Sequence, residues 1–115
     1  MSQVVVVDMD NTICNWSYPG FGDPKPGVAE ALQEIKDMGY EVHILSCRTS
    51  HELRKHPIDR QEAAREMERF LKQHDIPYDR VLVEFKPVAH VYIDDRGIGF
   101  RDDWKKVVEE LKEMN

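Results

Sequence analysis

The sequence predicts an α/β protein built on a parallel β-sheet with helices on both faces, and a few observations carry that prediction. Val4 to Val7 are four successive valines, and β-branched residues without polar alternation suit a strand buried on both faces of a parallel sheet. Further short apolar runs alternate with stretches of helical periodicity, the pattern of strand–helix–strand crossovers. Each of three strands ends in polar groups, and in such a sheet those ends share one edge. The 115 residues suffice for one domain with one core, so residues 1–115 form a single unit in a three-layer, Rossmann-like arrangement. Nothing separates the elements widely enough to hold a cap domain.

The first strand stops at Asp8-Met9-Asp10-Asn11-Thr12. Residues 14–27 are rich in Gly, Pro and aromatic side chains and read as a loop. Its aromatics either line a substrate entrance or pack onto the sheet edge. Pro26-Gly27 opens a helix marked by Val28, Leu32, Ile35 and Met38 and stopped at Gly39. Residues 41–45 form the second strand, in which His43 reads as a satisfied sheet-face histidine, and Ser46-Cys47-Arg48 follows it. The polar residues 50–57 connect to a helix over 58–73, whose buried stripe is Ala63, Met67, Phe70 and Leu71. A third strand is expected over 81–83, then Lys86-Pro87, then a fourth over 90–93 ending at Asp94-Asp95-Arg96. The last helix starts near Asp102 or Asp103 and buries Trp104, Val107, Val108, Leu111 and Met114.

Composition narrows the classes of function. A net charge of −6 disfavours a broad nucleic-acid or membrane footprint, since both want a basic surface. No segment approaches the roughly 20 apolar residues of a membrane span. Two cysteines are too few for a disulfide scaffold, and reduced thiols in the cytoplasm are expected.

The chemistry lies in the convergence. Asp8 and Asp10, Ser46, and Asp94 and Asp95 come to one crevice, with Lys86 just before the fourth strand. Clustered carboxylates without nitrogen or sulfur donors make a hard-cation site suited to magnesium (Mg2+). A hydroxyl and an ammonium beside it would neutralise the equatorial oxygens of a transferring phosphoryl group. Asp8 can attack phosphorus, and Asp10 can serve as the acid and then the base.

These segments resemble, in order, the four motifs of the haloacid dehalogenase-like hydrolases. Val4 to Ile13 is similar to the first motif, Val42 to Ser46 to the second, Lys86-Pro87 to the third, and Val91 to Arg96 to the fourth. The resemblance implies Asp8 as nucleophile, Asp10 as acid/base, and Ser46 and Lys86 as phosphate ligands. It also implies magnesium held by Asp8, the backbone carbonyl of Asp10 and the acidic pair, with Asp95 the direct ligand and Asp94 its neighbour. It is closest to capless members, whose open site takes a large substrate or is covered by a partner subunit such as a second copy. Ser46-Cys47-Arg48 resembles the Ser-Gly-Arg of polynucleotide kinase-phosphatase domains, which would make Arg48 a further phosphate clamp. A surface or carboxylate-paired arginine is the alternative.

The expectation is therefore a magnesium-dependent phosphatase acting on a small phosphorylated substrate. The alternatives are a non-enzymatic phosphoacceptor module, such as a receiver, and a catalytically silent binding subunit. Chain order speaks against the receiver, which puts its acidic pair on the first strand and has no need of Asp10.

Overall fold

In a computed structural model the first strand, β1 (Gln3–Asp8), is the centre of the sheet, flanked on both sides. The structure describes residues 3–17, 20–46, 48, 57–83, 91–94, 98–99 and 102–114. Val5, Val6 and Val7 are each no more than 2% exposed. Successive strand residues point to opposite faces, so both faces of β1 are covered. Each buried valine contributes about 1.5–3 kcal/mol of transfer free energy, which fixes this strand in the interior.

The chain continues through α1 (Val28–Asp37), β2 (Tyr40–Leu45), α2 (Pro57–Gln73), β3 (Arg80–Val81), β4 (Val91–Asp94), β5 (Ile98–Gly99) and α3 (Trp104–Met114). Among the described residues five strands lie in the order β3-β2-β1-β4-β5, and each of their pairings is parallel. An α/β protein with a parallel sheet is thus what the sequence produces.

The helices follow their apolar periodicity. Val28, Ala31, Leu32 and Ile35 form the buried face of α1. The helix ends where Gly39 adopts φ 100° and donates its N–H to the Lys36 carbonyl at 2.9 Å, a left-handed stop that glycine takes without strain. On α2, Ala63, Met67, Phe70 and Leu71 are buried as the spacing predicts, joined by Ala64. On α3 the Asp103 carboxylate accepts the Lys106 N–H at 3.3 Å, a side-chain cap on the first turn. Trp104, Val107, Val108 and Leu111 are buried there.

The structure departs from the sequence reading in three places. Met114 is 60% exposed rather than buried, because it sits on the last turn of α3, beyond the end of the core. The third strand is Arg80–Val81 rather than 81–83, although Leu82 still donates its N–H to the Ile44 carbonyl at 2.8 Å. The strand β5 has no counterpart in the sequence reading; two residues, one of them glycine, leave no periodic signal. His43 is 8% exposed and bonded to Glu41 at 3.2 Å, the satisfied sheet-face histidine expected. Among the described residues no helix is long and apolar enough to cross a membrane.

Candidate active site

Register decides which groups meet. Asp8 stands opposite Leu45 on β2, and Val7 stands opposite Ile93 on β4. The residues that follow, Ser46 and Asp94, therefore flank Asp8 at one edge of the sheet. Parallel α/β sheets bind ligands at that carboxyl edge.

Past Asp8 the chain makes a tight turn. The carbonyl of Met9 accepts the N–H groups of Thr12, Ile13 and Cys14 at 3.4, 2.9 and 3.3 Å. Asn11 occupies the left-handed region at φ 60°, which asparagine tolerates better than most residues, and donates its N–H to the Cys14 carbonyl at 2.7 Å. These bonds use the carbonyls of Met9 and Cys14 rather than that of Asp10. The turn is anchored from below. Met9, Ile13 and Cys14 are fully buried, and the Trp104 indole N–H donates to the Thr12 carbonyl at 3.1 Å.

The loop 14–25 then doubles back as a short flap. Asn15 donates its N–H to Asp23 at 2.9 Å, Gly22 donates to Asn15 at 3.1 Å, and Lys25 donates to Ile13 at 2.7 Å. A Cβ on Gly22 would come 2.5 Å from the Asn15 carbonyl oxygen, so this close approach requires glycine. Phe21 packs inward, its centroid 4.9 Å from that of Phe70, while Trp16 is 54% exposed.

Arg48 lies beneath this flap and is 3% exposed, so it is no surface arginine. Its Nε donates to Asp10 Oδ2 at 2.8 Å and a terminal nitrogen donates to Oδ1 at 2.9 Å. Both carboxylate oxygens of Asp10 are thus held in one two-pronged contact. The guanidinium carbon lies 4.3 Å from the centroid of Phe21 and 5.5 Å from that of Trp16. The backbone N–H of Arg48 donates to Ser46 Oγ at 3.1 Å, which ties the serine hydroxyl to the same cluster.

The carboxylate-paired state of Arg48 joins residues 38 positions apart, and only the folded chain reveals it. Its stacking on Phe21 had one sequence signal, the density of aromatics in the loop. Cys14 is buried and unpaired, and its thiol is pushed up to about 11 by burial first and then by the negative charge of Asp10. At neutral pH it is therefore a packing group.

Of the other expected site residues, Lys86 and Asp95 lie outside the described residues, as does Cys47, and Asp94 is described for its backbone alone. Among the described residues no three His, Cys, Asp or Glu side chains gather as a metal-binding group. The donors at hand are oxygen: the Asp8 carboxylate, whose Oδ1 accepts the Met9 N–H at 3.0 Å, and the carbonyl of Asp10. An oxygen-only set at a strand end fits a hard divalent cation. The Asp10 carboxylate is committed to Arg48, so of the oxygens of Asp10 it is the carbonyl that would be available to such a cation.

No family model and no curated protein matches the sequence. Among solved structures, the chain is similar to a conserved protein from Bacteroides thetaiotaomicron, with a TM-score of 0.71 and 21% identity, over 100% of this chain and 93% of that one. A chain of the Pnkp1/Rnl/Hen1 RNA repair complex aligns with a TM-score of 0.42 and 22% identity, over 99% of this chain and 32% of that one. The first likeness shows a shared fold.

Proposed function

We propose that this protein is a magnesium-dependent phosphatase, a capless haloacid dehalogenase-like hydrolase that cleaves a small phosphate monoester through a phosphorylated Asp8. A three-layer Rossmann-like arrangement, a cytoplasmic setting and a second copy covering the open edge belong to the same proposal. The observation that carries the reading is the register: Asp8 ends the central strand between Ser46 and Asp94, with Asp10 held just beyond by Arg48.

The proposed chemistry uses the chain's own groups. An Asp8 carboxylate oxygen attacks phosphorus in line, and the bond from phosphorus to the ester oxygen breaks. For this step Asp10 enters as the protonated acid, with one oxygen released from the Arg48 fork, and the departing oxygen takes that proton. A water then attacks the phosphoryl group on Asp8 and gives its proton to Asp10, which restores both carboxyl groups. Ser46 and Lys86 donate to the phosphoryl oxygens throughout. Arg48 positions Asp10 through the fork, and a clamp on the phosphate by its guanidinium belongs to the same proposal. Magnesium, held by Asp8, the Asp10 carbonyl and the Asp94–Asp95 pair, would supply positive charge between the carboxylates and the incoming phosphate.

The test is hydrolysis of an aryl phosphate and a panel of phosphorylated metabolites, with magnesium and with chelator. Turnover that requires magnesium supports the reading. No turnover of any ester, with a stable phosphoryl-protein formed from a small phosphodonor, would replace it with a phosphoacceptor module; neither signal would replace it with a silent binding subunit.

A further inference from the structure

A chain of side-chain contacts runs from the core to Asp10. Phe70 is buried on α2. The Phe21 ring of the flap lies against it, with centroids 4.9 Å apart and planes inclined by 31°. The guanidinium carbon of Arg48 lies over Phe21, 4.3 Å from the ring centroid. The guanidinium nitrogens in turn hold both carboxylate oxygens of Asp10. Trp16 stands near the same cation, but at 5.5 Å and with its side chain mostly in solvent, so Phe21 makes the closer and drier contact. Phe21 owes its place to the hairpin of the flap, where Gly22 passes too close to Asn15 for any Cβ.

We infer that Phe21 is a positioning residue for the reaction: backed by Phe70, its ring fixes the Arg48 guanidinium and, through the fork, the Asp10 carboxyl. The inference rests on the phosphatase reading and deepens it. Two parallel N–H···O bonds set the spacing of a guanidinium and a carboxylate. They do not fix the pair in the site, because arginine carries its charge on a long, rotatable side chain. A cation over an aromatic ring is held by the negative face of that ring, more strongly where water is excluded. Phe21 supplies that hold at the charged end of Arg48, and α2 supplies the rigid backing. The need is greatest when Asp10 enters protonated, since one of its oxygens has then left the fork. Proton transfer requires hydrogen-bond reach, and a misplacement of about 1 Å costs up to about a hundred-fold in rate.

The experiment compares two esters of similar shape that differ in how much their leaving group needs a proton. A nitrophenolate departs readily without one, whereas a phenolate gains from it. Phenyl phosphate and 4-nitrophenyl phosphate are assayed with magnesium for wild type, Phe21→Leu, Phe21→Met and Phe21→Tyr. The Leu and Met variants keep an apolar side chain and remove the ring, so either one tests the inference if the other fails to fold. Both are expected to lower kcat/KM for phenyl phosphate by about ten-fold, and for 4-nitrophenyl phosphate by no more than about two-fold. Phe21→Tyr retains the ring and stays within about two-fold of wild type on both esters. Equal losses on the two esters, a loss in Phe21→Tyr matching that of the ringless variants, or no loss at all overturns the inference. If wild type turns over neither ester, hydrogen exchange of the Arg48 Nε–H group, followed by nuclear magnetic resonance, decides instead. Exchange about ten-fold faster in the ringless variants than in wild type and Phe21→Tyr keeps Phe21 as the residue that fixes the fork, while the phosphatase reading fails. Equal exchange in all of them overturns the inference as well.

Discussion

Arg48 holds Asp10 by both carboxylate oxygens, at 2.8 and 2.9 Å, with side chains that are 3% and 10% exposed. A charge pair this dry is costly to split, because the remaining member keeps its burial and loses its partner.

Arg48→Met is accordingly expected to lower unfolding free energy by about 3–5 kcal/mol, and Asp10→Leu in the same background to recover part of that loss. Urea denaturation of the two single variants and the double variant measures the coupling. An Arg48→Met protein within about 0.5 kcal/mol of wild type would show that the fork contributes nothing to the fold.

The flap depends on its glycine. Gly22→Ala puts a methyl group 2.5 Å from the Asn15 carbonyl oxygen and 2.8 Å from the Asn15 Cβ, so the pairing of Asn15 with Gly22 and Asp23 must open. Overpacking of this kind costs about 1–3 kcal/mol. A lowered thermal midpoint, with faster exchange of the Asn15 and Gly22 amides, is the expected result. An unchanged midpoint and unchanged exchange would mean that the flap closes in some other way.

Acid should loosen the edge of the sheet at Asp79. Burial pushes its carboxyl upward, but the Val42 N–H at 2.7 Å and the Lys36 ammonium at 3.1 Å outweigh that and hold it below the ordinary value of 3.8. A carboxyl depressed in the folded state stabilises above its unfolded value and loses that contribution as pH falls through the folded one. Wild type should therefore lose stability relative to Asp79→Asn as pH drops from 5 through and below the ordinary value near 3.8. Urea unfolding at intervals across that window measures the gap. Parallel curves for the two proteins would remove Asp79 from the acid response.

Much of this architecture is written in local pattern. The valine run demands burial on both faces, and helices α1 and α2 follow the spacing of their apolar residues, because periodicity reports which face is dry. Pattern fails where tertiary geometry decides. Met114 continues the apolar stripe of α3 yet lies beyond the core that would bury it. Residues 98–99 pair with β4 only because that strand is already in place, and two residues are too few to announce a strand. Asp8, Asp10, Ser46 and Asp94 could be assigned to one sheet edge from strand endings, since parallel pairing brings such ends together. The partnership of Arg48 with Asp10 could not, as nothing local relates the two residues. Nor could the division between Phe21, packed inward, and Trp16, facing out, be read from a loop that lists both as aromatics.

The most direct test of the central claim is to follow the phosphoryl group itself. Wild type, Asp8→Asn and Asp10→Asn are mixed with a hydrolysable ester and magnesium, quenched in acid, and analysed by intact mass and peptide mapping. The account predicts that Asp10→Asn accumulates one phosphoryl group on the peptide carrying Asp8, and that Asp8→Asn carries none and is inactive. Turnover by Asp8→Asn near the wild-type rate, or a phosphoryl group on any other residue, would contradict it.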